Sequence, residues 1–255
     1  MSFIPLSIAC ILSSFHVTAS ENIIVDNQRK TDLKVGQKYG GEYIDIEKPN
    51  EKGISHNYFE KFNVAEEGII INNIDPVKGH ISEVKINFRD KNITLSIGIG
   101  EQHAKIIINE VTSPNPSLLK GNLFVMGGVE HLMLVNPYGI VCDGCSVTNA
   151  SEFTLQSRNK ADLVGRGAAT DRIYRDDYLD DRIEIKNATQ PMNMYGPITL
   201  DAYSVDIGDH NGQYGDNKAI LAKKVTINSD YLSIYNNVVL NFDQLNLNIT
   251  GNVFN

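Results

Sequence analysis

The sequence predicts an all-β fold and, among all-β architectures, a stacked β-helix. Three observations point there. Short apolar runs recur along the chain between polar turns, and no window beyond the leader carries a sustained helical period with caps. Tryptophan is absent, while Asn, Asp, Ile, Val and Gly are plentiful, a composition suited to strands and turns. In the last third, Val225-Thr226-Ile227-Asn228, Leu232-Ser233-Ile234 and Leu245-Asn246-Leu247-Asn248-Ile249 alternate apolar with polar residues, and Asn returns beside the strands. Stacked coils merge such aliphatic residues into one continuous core and pair Asn side chains from coil to coil. A sandwich or a barrel uses equally short strands; the alternation favours the solenoid. With 255 residues and 42% hydrophobic content, the chain has enough apolar surface for a full core.

The elements follow in order. Residues 3–17 are uncharged and mostly apolar, ending in Val17-Thr18-Ala19. A bilayer span needs about 20 apolar residues, so this stretch is too short for one. It matches the apolar region and small-residue cleavage site of a secretory leader, and residues 1–19 are assigned as a signal peptide rather than a buried first strand. Cleavage near Ala19 discards Cys10. Strand-like runs then fall at 68–71, 84–88, 93–99, 105–108, 123–126 and 132–135, and further on at 183–185, 198–200, 204–207, 224–227, 231–234, 238–240 and 245–249. Between these two groups, residues 171–184 (DRIYRDDYLDDRIE) are dense in both signs of charge and read as a solvated excursion. The alternative, a calcium loop, lacks the Asp-x-Asp-x-Asp-Gly arrangement.

Residues 136–145, NPYGIVCDGC, hold the most distinctive local chemistry. Pro137 fixes its own φ and Gly139 accepts positive φ, so Asn136-Pro137-Tyr138-Gly139 is a tight corner leading into Ile140. In an exported protein, Cys142 and Cys145 read as one local disulfide. Zinc needs two more ligands, and no nearby His or Cys pair has the spacing; a thioredoxin-like centre needs a βαβ frame that is missing. The remaining chemistry is sparse. His56, His80, His103, His131 and His210 form no metal motif, and Ile97-Gly98-Ile99-Gly100 is half of a dinucleotide fingerprint without its helix. Asp201, Asp206 and Asp209 are the candidate acids of a polysaccharide-degrading β-helix, but one-dimensional spacing gathers them into no catalytic site. The expectation is no enzyme activity, no cofactor and no metal. The net charge of −8 with no basic stripe argues against nucleic acid.

Three blocks, taken together, resemble one family. The first is Gly53-Ile54-Ser55-His56-Asn57 with Phe59, Phe62-Asn63-Val64 and Gly68-Ile69-Ile70-Ile71-Asn72-Asn73. The second is Ile108-Asn109-Glu110-Val111-Thr112 with Asn115-Pro116-Ser117 and residues 119–121. The third is Asn136-Pro137-Tyr138-Gly139-Ile140 with Cys142-Asp143-Gly144-Cys145. In this order they resemble the N-terminal secretion domain of two-partner-secreted proteins: filamentous haemagglutinins, haemolysins and contact-dependent growth-inhibition toxins. The paired cysteines place the chain nearer the haemolysin and growth-inhibition branch.

The resemblance implies a right-handed parallel β-helix with extra-helical hairpins and an N-terminal cap. It divides the chain into a secretion-domain core at 20–160 and continuing, possibly truncated coils at 161–255. It implies export through the periplasm, as an unfolded chain, to a dedicated outer-membrane transporter with periplasmic recognition domains, and folding at the surface of a Gram-negative cell. Asn136 to Ile140 is the implied secretion motif, with Asn136→Ala expected to weaken secretion more than the purified fold. A host or neighbouring-cell surface is the implied downstream target. A second family motif, Asn-Pro-Asn-Leu, belongs near 88–98, where this chain reads Asp90-Lys91-Asn92-Ile93-Thr94-Leu95. The alternative function is a stand-alone carbohydrate- or cell-binding adhesive module.

Overall fold

The structure is a computed structural model, and it describes residues 21–29, 32–38, 41–74, 81–88, 91–98, 104–158, 181–186, 192–208, 218–235 and 238–254, with 81–88 and 91–98 as backbone. The leader therefore lies outside the described residues, as do His80, His103, Asp209, His210 and the 171–180 part of the charged segment. Every regular element among the described residues is a strand. Apart from three antiparallel pairs, β1–β4, β2–β3 and β6–β7, all pairing is parallel.

The parallel strands wind into coils with three faces. The first face stacks β3 (Gly41–Asp45), β5 (Ile69–Asn72) and the start of β10 (Asn122–Val135). It continues through the starts of β12 (Ser146–Gln156), β14 (Met192–Asp201) and β16 (Lys218–Ser229) to β18 (Val239–Asn241). The second face stacks β4 (Ile54–Phe62), β8 (Ile106–Val111), the later parts of β10, β12, β14 and β16, and β19 (Gln244–Ile249). The third stacks β9 (Ser117–Leu119), β11 (Ile140–Cys142), β13 (Arg182–Ile185), β15 (Ser204–Ile207), β17 (Tyr231–Ile234) and β20 (Val253–Phe254). This is a parallel β-helix. The long strands turn the corner between the first two faces where their register shifts, at Gly127-Gly128 in β10 and at Tyr195-Gly196 in β14.

The core follows from register. Ile107, Leu132, Phe153, Ile198 and Val225 are successive partners along the second face, and all are buried. Leu134, Leu155, Leu200 and Ile227 make the adjoining column, and Ile140, Ile183, Val205 and Leu232 face them from the third side. Each coil thus buries its aliphatic face on the one before it, which is how a short strand that is unstable alone becomes stable.

The N-terminal end is capped. β1 (Ile23–Val25) pairs antiparallel with β4, and β2 (Lys34–Lys38) pairs antiparallel with β3. Asp26 ties the cap down: it accepts from Thr112 Oγ1 at 2.7 Å and from the Gln28 N–H at 3.0 Å, and lies 3.4 Å from Arg29. One excursion leaves the first face after β5 and returns at β8. It contains β6 (Ile81–Phe88) and β7 (Lys91–Gly98), which pair with each other as a two-stranded sheet. Asn73 closes its base, with Oδ1 accepting from the Ala104 N–H at 2.9 Å and Nδ2 donating to the Ala104 and Gly128 carbonyls at 2.9 and 2.6 Å.

Candidate functional site: the Asn136 corner and the cysteine bridge

β10 ends the second face at Val135, and the chain must turn sharply to start β11 on the third. Asn136 to Gly139 make that turn. Oδ1 of Asn136 accepts from the Tyr138 N–H at 2.9 Å, and the Gly139 N–H donates to the Asn136 carbonyl at 3.1 Å, with Gly139 at φ 105°. Such a φ is open to glycine and strained for other residues, and Asx side chains close turns of this kind.

The corner is also bonded to both neighbouring coils. On one side, Asn136 Nδ2 donates to the Asn115 carbonyl and to Ser117 Oγ, each at 2.9 Å. The Ser117 N–H donates to the Gly139 carbonyl at 3.0 Å. On the other side, the Asn136 N–H donates to the Gln156 carbonyl and the Asp181 N–H donates to the Pro137 carbonyl, both at 2.8 Å. Asn136 is fully buried, with both polar atoms of its side chain used; Pro137 and Tyr138 are half-buried. A buried amide in this state is held on every side and is costly to remove.

Six residues on, Cys142 and Cys145 are joined, with Sγ atoms 2.01 Å and Cα atoms 5.3 Å apart. Both are buried. Cys142 occupies the inward column Leu119–Cys142–Ile185–Ile207, so the bridge fills core volume that aliphatic side chains fill in the neighbouring coils. The loop between them is fastened to both sides: the Asp143 N–H donates to the Leu119 carbonyl and the Lys186 N–H to the Cys142 carbonyl, each at 2.8 Å.

The three sequence blocks lie on successive coils. Val64 of the first bridges Leu119 of the second, and Asn63 Oδ1 accepts from the Leu118 N–H at 2.9 Å. The second block then supplies Asn115 and Ser117, the partners of Asn136 in the third. Two partners escaped sequence reasoning. Gln156 sits in an uncharged stretch with no signal, and Asp181 belongs to the charged segment read as a solvated excursion; it is buried, with φ 57°.

The other candidate residues are distributed rather than gathered. Asp201 pairs with Arg158 (Nε–Oδ1 3.4 Å), which also reaches Asp230 at 3.2 Å and the Ala202 carbonyl at 2.6 Å. Asp206 on the third face holds Arg182 at 2.5 Å. Burial works against the Arg182 charge, but Asp206 and Glu184 outweigh it and raise its pKa. His56 bonds Glu110 at 2.7 Å and stacks on Tyr58; His131 bonds Thr154 at 2.8 Å, and burial holds its pKa below the ordinary 6.5 against the pull of Glu152. Among the described residues no group of three or more His, Cys, Asp or Glu converges on a metal position.

Comparison with known proteins gives this corner its context. A family model, the TPS (two-partner secretion) secretion domain, matches residues 21–239. "tRNA nuclease CdiA" of Escherichia coli O6:K15:H31 (strain 536 / UPEC) is 44% identical over 113 residues, which is 44% of this chain and 3% of that protein. "Hemolysin" of Proteus mirabilis is 36% identical over 121 residues, 46% of this chain and 7% of that protein. The chain therefore matches only a small fraction of the length of these relatives. The crystal structure of the filamentous hemagglutinin secretion domain aligns over 91% of this chain and 99% of its own, with TM-score 0.50 and 20% identity, a likeness of fold. The molecule is a β-helical secretion domain of an exported protein. It belongs to the TPS secretion domain family, whose members are secreted by Gram-negative bacteria with a dedicated outer-membrane transporter.

Proposed function

We propose that the Asn136 corner is read twice: by the transporter while the chain is extended, and by the neighbouring coils once it folds. The burial of Asn136 supports this reading most directly, because a partner that recognises its side chain must meet it before the coils close. On this reading the chain crosses the periplasm unfolded, and the transporter's periplasmic recognition domains bind the segment around Asn136, Pro137, Tyr138, Gly139 and Ile140. It then folds at the cell surface, where the capped coils serve as the nucleus on which the rest of a haemolysin- or growth-inhibition-type exoprotein stacks. The domain itself carries address and fold; any toxic or adhesive activity resides elsewhere in the exoprotein. The Cys142–Cys145 bridge is compatible with passage, because a ring closed over two intervening residues adds no large loop to the moving chain.

The test co-expresses the chain with and without its cognate transporter and measures protein in the medium. Secretion that needs the transporter supports the reading, and equal secretion without it overturns it. A second arm measures binding of the transporter's isolated periplasmic domains to urea-unfolded and to folded chain. Binding confined to the unfolded form, and weakened about 10-fold or more by Asn136→Ala, supports recognition before folding; the factor is that of one lost charge-free contact pair of about 1.4 kcal/mol. Equal binding to folded chain overturns it.

A further inference from the structure

Strand β5 reads Ile69-Ile70-Ile71, and all three side chains are fully buried. Alternation sends the first and third to one face of a strand and the second to the other. Ile69 and Ile71 belong to the interior, beside their register partners Leu123 and Val125. Ile70 instead shares the outward face with its partners Tyr43 and Phe124, and Met126 lies on that face two residues further. Tyr43, Ile70, Phe124 and Met126 are 5%, 0%, 7% and 7% exposed, yet none belongs to the central core cluster. The next position outward, Thr148, is only half-buried. A sheet face open to water does not bury four large side chains. A second apolar layer covers the first three coils on this side.

The excursion after β5 supplies such a layer. The β6–β7 register runs from Ile81 opposite Gly98 to Phe88 opposite Lys91. Cross-strand partners share a face, so Val84, Ile86, Phe88, Ile93, Leu95 and Ile97 fall on one side of the hairpin. Glu83, Lys85, Thr94 and Ser96 fall on the other. A two-stranded sheet with one apolar face is marginal in water unless that face is packed. Its base is fixed beside the covered column: Asn73, which closes the excursion, follows β5 directly, and its N–H donates to the carbonyl of Met126 at 2.9 Å. Gly127 leaves room there, since a Cβ would stand 2.8 Å from Ile74 Cγ1.

We propose that the β6–β7 hairpin is a strap whose apolar face closes over Tyr43, Ile70, Phe124 and Met126, forming a small second core on the outside of the β-helix. Its floor is assembled from three coils, and the last of them, carrying Phe124 and Met126, follows the hairpin in the chain. The strap therefore cannot seat until β10 is in place. Its closure marks the completion of the third coil, the one that carries the Asn136 corner.

The test uses the full chain in a Cys10→Ser background with the Cys142–Cys145 bridge intact. Thiol labelling of Ile70→Cys is expected to be at least ~100-fold slower than labelling of Thr148→Cys, since a covered site reacts only through opening. Replacing Ile86, Ile93 and Leu95 together by Thr is expected to accelerate labelling of Ile70→Cys by ~10-fold or more and leave Thr148→Cys unchanged. If the Ile70→Cys rate ignores the hairpin substitutions, another segment or partner covers the column and the proposal fails. Should the triple replacement raise both rates together through loss of fold, cross-linking decides. Under mild oxidation, Ile70→Cys should bridge to Ile86→Cys or to Leu95→Cys in the otherwise native chain, and absence of both bridges overturns the strap.

Discussion

Asn136 shows how a residue readable as a turn signal becomes a structural joint. From sequence, Asn136→Ala is expected to spare the purified fold. The burial of Asn136 and its three side-chain hydrogen bonds change that expectation, because the substitution leaves the Tyr138 N–H, the Asn115 carbonyl and Ser117 Oγ short of a partner. The loss is expected to be on the order of 2–4 kcal/mol, measured by urea unfolding of the purified domain. Asp26 gives a pH-dependent counterpart. The Thr112 hydroxyl, opposed by burial and helped by the Gln28 N–H and Arg29, holds its carboxyl below the ordinary value of 3.8. A depressed carboxyl stabilises the fold above its unfolded pKa, and that contribution is lost as pH falls through the folded value. Asp26→Asn should therefore lower Tm at pH 6 to 7, and the gap to the parent chain should shrink below about pH 4, where the carboxylate advantage disappears. A gap that is constant across this range would show that Asp26 acts through packing alone.

At the scale of elements, strands were legible wherever apolar residues alternate with polar ones and turns flank them. β5, β8, β10 and β13 to β19 all contain the expected runs. β4 and β12 were not legible, for two physical reasons. β4 points Ser55 and Asn57 into the interior, where Asn57 Oδ1 takes the Glu47 N–H at 2.8 Å, so its inward face does not look hydrophobic. β12 passes through a corner at Asn149, φ 65°, which interrupts its alternation. Corners between coils are similarly hidden, because what they require is clearance from a distant backbone. A Cβ on Gly121 would stand 2.1 Å from the Ala65 carbonyl oxygen, whereas nothing lies within 4 Å of one on Gly36. Gly121→Ala is accordingly expected to cost about 1–3 kcal/mol in thermal or urea unfolding, and Gly36→Ala to change stability by less than about 0.5 kcal/mol. Equal effects at the two sites would mean that the corner relaxes freely. The site was legible to the same degree: NPYG declared a turn, but Asn115, Gln156 and Asp181 become its neighbours only through stacking of coils.

For the whole molecule, each coil leans on the one before, and protection should follow that order. The final coil leaves Val239, Leu245, Leu247, Val253 and Phe254 exposed, while β10 and β12 are paired on both edges and filled with buried side chains. Amide exchange is expected to be fastest in β20 and β18 and slowest in β10 and β12, the gradient of a nearest-neighbour array. Uniform exchange rates would instead indicate a single cooperative block. In such an array the chief hazard is a strand seated one residue out of step, which turns its inward side chains outward while leaving the backbone ladder satisfied. Aliphatic columns tolerate that poorly but do not count residues. Asn136 does, since its amide meets Asn115 and Ser117 on one side and its backbone meets Gln156 on the other only at the correct offset. It works as a check digit, a single buried character that agrees with its neighbours only when the preceding coils have been written in frame.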